Sequence, residues 1–100
     1  MLRMTAEGKI ACRTLAKGRD GVTNIPAWKF NAVREAILNI CTEDTFFKDL
    51  AAKVGERLTE DQRARLGSLG WHVTTVKLEL EVRGDIARVP GKGPQKTIRT

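Results

Sequence analysis

The sequence has few of the side chains that enzymes use for nucleophilic or metal-assisted chemistry. Its 100 residues include no tyrosine, one serine (Ser68), one histidine (His72) and two cysteines, Cys12 and Cys41. One histidine and two cysteines cannot by themselves supply the four ligands of a closed zinc site. Ser68 and His72 are four residues apart on a predicted helix, which suits a helix cap and an exposed ring better than a nucleophile and its base. We therefore predict that the chain is not an enzyme and has no cofactor.

Long apolar runs are also missing. No segment approaches the ~20 apolar residues that a membrane-spanning helix needs, and the first ten residues contain no apolar stretch typical of a signal peptide. Cys12 and Cys41 form no Cys-x-x-Cys pair and suit a reducing compartment. We expect a cytoplasmic protein that does not contact a membrane.

Positive charge is in excess, and it lies at the two ends of the chain. The formal net charge is +6, made up of +4 in residues 1–40, −1 in residues 41–66 and +3 in residues 67–100. Such a distribution favours a polyanionic partner. Charge that only keeps a small protein soluble is the alternative.

The pattern of apolar residues predicts one domain over residues 21–100, preceded by a poorly ordered basic arm over residues 1–20. Helices are predicted from Ala27 to about Ile40 and from about Phe46 to Leu58 because apolar residues recur there at steps of three and four. Thr59 and Gln62 have the spacing of a capping box, which predicts a short helix that ends at Leu66.

The last third of the chain predicts a long helix followed by a β-hairpin. Ser68 can cap a helix over residues 69–83, and Gly84 can end it in the left-handed conformation. Residues 86–89 and 95–99 have strand character, and the Gly/Pro-rich segment between them predicts a turn. The helix has two apolar sides, which predicts that upstream helices cover one and the hairpin covers the other. These sides are Leu69, Val73, Val76 and Leu80 on one, and Trp71, Leu78 and Val82 on the other.

This order of elements predicts an α+β winged helix, with a three-helix core, a short extra helix and a C-terminal two-stranded wing. The motif Leu80-Glu81-x-x-Gly84-x-Ile86-x-Arg88 resembles the junction between the third helix and the wing of bacterial winged helix-turn-helix regulators. Residues 22–100 also resemble a family of small uncharacterised single-domain bacterial proteins. The motifs that carry this second resemblance are Ile25-Pro26-Ala27-Trp28-Lys29-Phe30, Gly70-Trp71 and Thr75-Val76-Lys77-Leu78-Glu79-Leu80-Glu81.

The resemblance to regulators implies that the chain binds duplex DNA, with helix 69–83 in the major groove and the wing on phosphates. The wing has no acidic residue between Ile86 and Thr100 and supplies four candidate phosphate-binding cations: Arg88, Lys92, Lys96 and Arg99. The helix supplies three candidates for base contact: Thr74, Thr75 and Lys77. Lys77 has an alternative role, because it can pair with Glu81 one turn further on.

The second functional hypothesis is a protein-interaction or scaffold domain that has the winged-helix shape and does not read DNA. It depends on the side of the helix that carries Trp71, Leu78 and Val82. If the wing leaves these residues uncovered, they can bind a protein partner or a second copy of the chain.

Overall fold

The structure is a computed structural model that describes residues 8–14 and 21–100. Over these residues the chain is α+β, with four helices and two small antiparallel sheets, as the sequence predicts at this level. The helices are α1 (Ala27–Ile40), α2 (Phe47–Arg57), α3 (Glu60–Leu66) and α4 (Leu69–Arg83). The strands are β1 (Lys9–Thr14), β2 (Gly21–Pro26), β3 (Thr45–Phe46), β4 (Ile86–Arg88) and β5 (Lys96–Arg99). No helix in the described ranges has the length and apolar character that spanning a bilayer requires.

The ends of α3 and α4 are set by the local signals in the sequence. The Thr59 hydroxyl accepts from the backbone N–H of Gln62, and the Gln62 side chain accepts from the backbone of Thr59, which completes the predicted capping box. The Ser68 hydroxyl accepts from the backbone N–H of Trp71 at 3.2 Å. Gly84 has φ 83° and ψ 12°, a left-handed conformation that has little steric cost for glycine. Both predicted boundaries of α4 are confirmed.

Helix α4 lies at the centre of the structure, against α1, α2 and β1. Val73, Val76 and Leu80 are buried and form one core with residues from α1 and α2, which confirms the first predicted apolar side. The second side differs from the prediction. Trp71 is 47% exposed, and Leu78 and Val82 are only half-buried, because β1 and the hairpin pack on the flanks of α4 rather than over that side.

Strand β1 falls within the N-terminal arm that was predicted to be poorly ordered. It pairs antiparallel with β2, in a register that places Ile10 opposite Ile25 and Cys12 opposite Thr23. Alternate residues of a strand face the same side, so Ile10 and Cys12 point together toward the core, where Cys12 is fully buried. Burial of these two residues explains the difference. The remainder of the predicted arm, residues 1–7 and 15–20, lies outside the described residues.

The predicted C-terminal hairpin, residues 86–99, is present and gains a third strand. The sheet order is β3-β5-β4, with Thr45 opposite Thr97 and Phe46 opposite Lys96. Thr45 and Thr97 are buried, whereas Phe46 is 37% exposed. Because neighbouring residues of a strand face opposite sides, Phe46 and Lys96 lie together on the outer face of this sheet. The sequence predicted helix from about Phe46 and did not predict β3.

Candidate nucleic-acid interface

The charged residues of α4 are largely neutralised inside the protein, beginning with Glu79. Its side chain is 1% exposed and accepts from three groups of Arg13 on β1: the backbone N–H at 2.8 Å, Nε at 3.1 Å and Nη2 at 2.8 Å. Arg83, one turn along the helix, donates from Nε at 2.8 Å. One carboxylate therefore connects the outer edge of the β1–β2 sheet to the central helix.

These contacts change the ionisation of Glu79. Hydrogen bonds from the Arg13 side chain, with a smaller contribution from Arg83, lower its pKa from 4.5 to about 2, although burial alone would raise it. The carboxylate is therefore charged at all physiological pH values and matched by two guanidinium groups. The arrangement fixes β1 on α4 and leaves Glu79 no access to a nucleic acid.

Lys77 lies on the opposite flank of α4 and is also inside the protein, at 2% exposure. Its ammonium donates to Glu81 Oε2 at 2.6 Å and to Gln95 Oε1 at 2.8 Å, and it lies 4.8 Å from the centre of the Phe47 ring. The ion pair with Glu81, the alternative role considered for Lys77, is therefore present. Arg88 adds a longer contact to the same carboxylate oxygen, at 3.3 Å.

The three α4 residues predicted to contact bases thus have different environments. Thr75 and Lys77 are buried and cannot reach a groove in this conformation. Thr74 is exposed, near Trp71 and Gly70 at the start of the helix, which are also exposed. Of the three candidates, Thr74 alone has a side chain at the surface, because β1 and the C-terminal hairpin cover the flanks that carry the other two.

The predicted hairpin cations are more accessible. Lys92 and Arg99 are exposed, Lys96 is half-buried, and Arg88 is exposed over about half of its side chain in spite of its contact with Glu81. Within residues 8–14 and 21–100, no carboxylate forms an ion pair with Lys92, Lys96 or Arg99. These three cations can therefore bind an anion without first breaking an ion pair within the described residues.

The loop of the hairpin adds a concave surface to these cations. Residues 88–96 line a cavity of about 290 Å³, and its charged lining residues are Arg88, Lys92 and Lys96. Gly91 and Gly93 in this loop have φ 137° and 96°, conformations that favour glycine. Phosphate-sized anions suit a cavity with this lining.

Sequence reasoning did not identify a further group around the Phe46 ring: Phe46 and Lys96 on the outer face of the sheet, and Lys48 in the first turn of α2. The Lys96 ammonium lies 5.1 Å from the centre of the Phe46 ring, and the Lys48 ammonium lies 5.5 Å from it. We name these three residues the Phe46 platform. The feature of the sequence that could have indicated this group is the adjacent pair Phe46-Phe47. The sequence analysis placed both residues in one helix, whereas in the structure the two rings lie in different environments.

The other reactive side chains lie in structural positions. The prediction of an exposed His72 ring is wrong: the ring is buried, and its Nδ1 lies 2.7 Å from the backbone carbonyl of Ser68. Cys12 and Cys41 are buried free thiols, and burial raises the pKa of both above the ordinary value. Over the described part of the chain, no three His, Cys, Asp or Glu side chains come together in a group that could hold a metal ion.

These observations define a class of protein: a small α+β domain with a central helix, a layer of paired charges in its interior and a cationic C-terminal sheet. The chain belongs to a family of unknown function, DUF6958, whose model matches residues 9–97. The comparisons with curated proteins and with solved structures gave no match.

Proposed function

We propose that this protein is a small winged-helix protein that binds nucleic acid, with phosphate contacts made by its C-terminal hairpin. The winged-helix interpretation is supported by the order helix, short strand, helices and hairpin, and by the pairing of the return strand β5 with the earlier strand β3. The observation that carries the binding proposal is the set of hairpin cations without a carboxylate partner among the described residues: Lys92, Lys96 and Arg99.

The position of Lys77 and Glu79 shapes the proposed mode of binding. These residues form internal ion pairs, so the charges that contact phosphates come from the hairpin and not from the middle of α4. Thr74 and the exposed start of α4 are then the part of the helix that can approach a base edge. Phosphate contacts hold a protein on nucleic acid without reading sequence, so we expect weak sequence preference.

A variant with Lys92, Lys96 and Arg99 all replaced by glutamine tests the proposal. The wild-type protein should bind a fluorescein-labelled DNA duplex with a log–log salt slope of about −3 to −4. Each lost phosphate contact reduces that slope by ~0.9, so the triple variant should keep a slope of about −1 and lose at least about tenfold in affinity. Fluorescence anisotropy over a salt series measures both quantities.

A matched triple variant separates a site from the effect of total charge. Lys53→Gln, Arg57→Gln and Arg63→Gln remove the same charge from exposed positions on α2 and α3. This control should keep most of the wild-type slope. Equal losses in the two variants would contradict a hairpin site, and absence of wild-type binding at tens of micromolar protein in low salt would refute nucleic-acid binding.

The second candidate function is a protein-interaction domain, and the exposure of Trp71 favours it. Trp71 is 47% exposed beside the half-buried Leu78 and Val82, and large exposed aromatics are common in protein interfaces. If this side of α4 binds a partner or a second copy, Trp71→Ala should lower the association measured by sedimentation. A wild-type protein that sediments as a monomer would count against self-association.

A further inference from the structure

We propose that the Phe46 platform binds an unpaired nucleotide, with the base stacked on the Phe46 ring and the flanking phosphates bound by Lys48 and Lys96. This inference rests on the proposed nucleic-acid-binding function and specifies its ligand as a single strand or a strand with unpaired bases.

The first support is the position of the ring. Phe46 lies on the outer face of a three-stranded sheet, opposite Lys96 on the neighbouring strand, and it is 37% exposed. Its neighbours in the chain face the other way or enter α2: Thr45 is buried against Thr97, and the Phe47 ring lies over Lys77. An exposed aromatic ring on an open sheet is the surface on which bases stack in proteins that bind single strands.

The second support is the charge around the ring. Two ammonium groups lie between 5 and 6 Å from its centre, at 5.1 Å for Lys96 and 5.5 Å for Lys48. In residues 8–14 and 21–100, neither ammonium forms an ion pair with a carboxylate. Lysine side chains are long and flexible, so both can turn from the ring to a phosphate when a base takes their place. Binding would then exchange two cation–π contacts of modest strength for stacking and two ion pairs.

The third support is continuity with the hairpin cavity. Lys96 belongs both to the platform and to the lining of the cavity formed by residues 88–96. A strand whose base stacks on Phe46 can therefore place its next phosphate toward Lys92 in that cavity. A paired duplex hides the faces of its internal bases, so it can use these cations but not the ring.

Anisotropy titrations with two ligands test the assignment. The ligands are a labelled 12-nucleotide single strand of mixed sequence and a blunt 12-base-pair DNA duplex that contains the same strand. Phe46→Ala and Phe46→Leu should each weaken binding of the single strand by about tenfold, as loss of one stacked base does. Both variants should leave binding of the blunt duplex within about twofold of wild type. Phe46→Leu keeps an apolar side chain and removes only the aromatic face, so it is the matched control for packing.

Photocrosslinking provides a readout that does not depend on a variant that folds. A single strand containing 5-bromouracil should crosslink to the tryptic peptide that includes Phe46 and ends at Lys48, identified by mass spectrometry. Crosslinks confined to other peptides would overturn the assignment. The assignment would also be overturned if the Phe46 variants lost equal affinity for both ligands, or if Phe46→Leu bound the single strand as tightly as wild type. Neither result would contradict the phosphate contacts of the protein's C-terminal hairpin. No wild-type binding to either ligand would overturn the proposed function as well.

Discussion

The charged residues of α4 and those of the C-terminal sheet differ in how they are balanced. On α4, Lys77 and Glu79 are almost fully buried, and each is held by oppositely charged or polar groups at 2.6–3.1 Å. On the sheet, Lys96 and its exposed neighbours Lys92 and Arg99 form no ion pair within the described chain. The same residue types therefore hold the fold together in one region and remain available for a ligand in the other.

This difference explains why the net positive charge of the chain does not indicate where the nucleic-acid-binding site lies. Helix α4, which was predicted to enter the major groove, carries two basic residues (Lys77 and Arg83) and two glutamates (Glu79 and Glu81). They form a charge layer that joins β1, α4 and the C-terminal hairpin, so their absence of net charge reflects internal pairing. The cations that can contact a polyanion are those on elements without nearby acids. The two regions differ in whether their charged side chains form ion pairs within the protein, and not in the number of charges.

The largest effect should come from removing the carboxylate at the centre of the buried layer. Glu79→Gln keeps the size of the side chain but leaves Arg13 and Arg83 without their counter-charge. We expect the free energy of unfolding in urea to fall by about 3 kcal/mol, the low end for breaking a buried ion pair, because both arginines can turn toward water.

The matched control is an exposed pair on α3. Asp61 and Arg65 lie 3.6 Å apart, with 76% and 67% of their side chains exposed. Asp61→Asn should therefore change the free energy of unfolding by less than ~0.5 kcal/mol. If the two substitutions lower the free energy of unfolding equally, the buried charges of α4 contribute no more to stability than exposed charges do.

The second prediction uses pH to switch the same carboxylate. Arginine hydrogen bonds lower the pKa of Glu79 from 4.5 to about 2 in the folded protein. A lowered folded pKa contributes stability that is complete above the unfolded pKa and is lost as pH falls toward the folded one. The stability difference between wild type and Glu79→Gln should therefore be constant above about pH 6. It should shrink by about 2 kcal/mol or more by pH 2.5.

Urea unfolding of both proteins between pH 7 and pH 2.5 measures this difference directly. Other acidic groups titrate in both proteins and cancel in the comparison. A gap that stays constant down to pH 2.5 would show that the carboxylate is not stabilised by Arg13 and Arg83 in its charged form.

The sequence predicted the elements whose signals are local. Ser68 and Gly84 mark the ends of α4, Thr59 and Gln62 mark the start of α3, and the Gly/Pro segment marks the hairpin turn. Each signal acts within a few residues, through a cap or a backbone conformation. The local sequence is therefore enough to predict where these elements begin and end.

The features that the sequence did not predict depend on partners far apart in the chain. Glu79 is buried because Arg13, 66 residues earlier, reaches it from β1, and Lys77 is buried because Gln95 lies across it. Hydropathy places such charged residues at the surface. Phe46 was predicted to begin a helix, but it lies in β3, and pairing of β3 with β5 turns its ring outward. In all three cases, packing between distant elements overrides the local preference.

The smallest effect on stability should come from replacing Lys77. The same substitution also tests whether the paired charges of α4 take part in nucleic-acid binding. In Lys77→Met the flexible side chain keeps its contact with Phe47, and Glu81 keeps Arg88 as a partner at 3.3 Å. Breaking a buried pair is costly because it leaves an isolated buried charge. Glu81 would not be isolated, because it keeps Arg88 and its side chain is 17% exposed. We expect a loss of about 1 kcal/mol in the free energy of unfolding, measured in urea.

Nucleic-acid binding should respond to Lys77→Met even less. Because the Lys77 ammonium is paired inside the protein, the variant should bind the blunt DNA duplex with an affinity and a salt slope close to those of wild type. Lys92→Gln, which removes one exposed charge, should reduce the same slope by ~0.9 if that lysine contacts a phosphate. A larger loss of slope in Lys77→Met than in Lys92→Gln would mean that α4 releases its lysine on binding. The division between a structural charge layer and a binding surface would then hold only for the free protein.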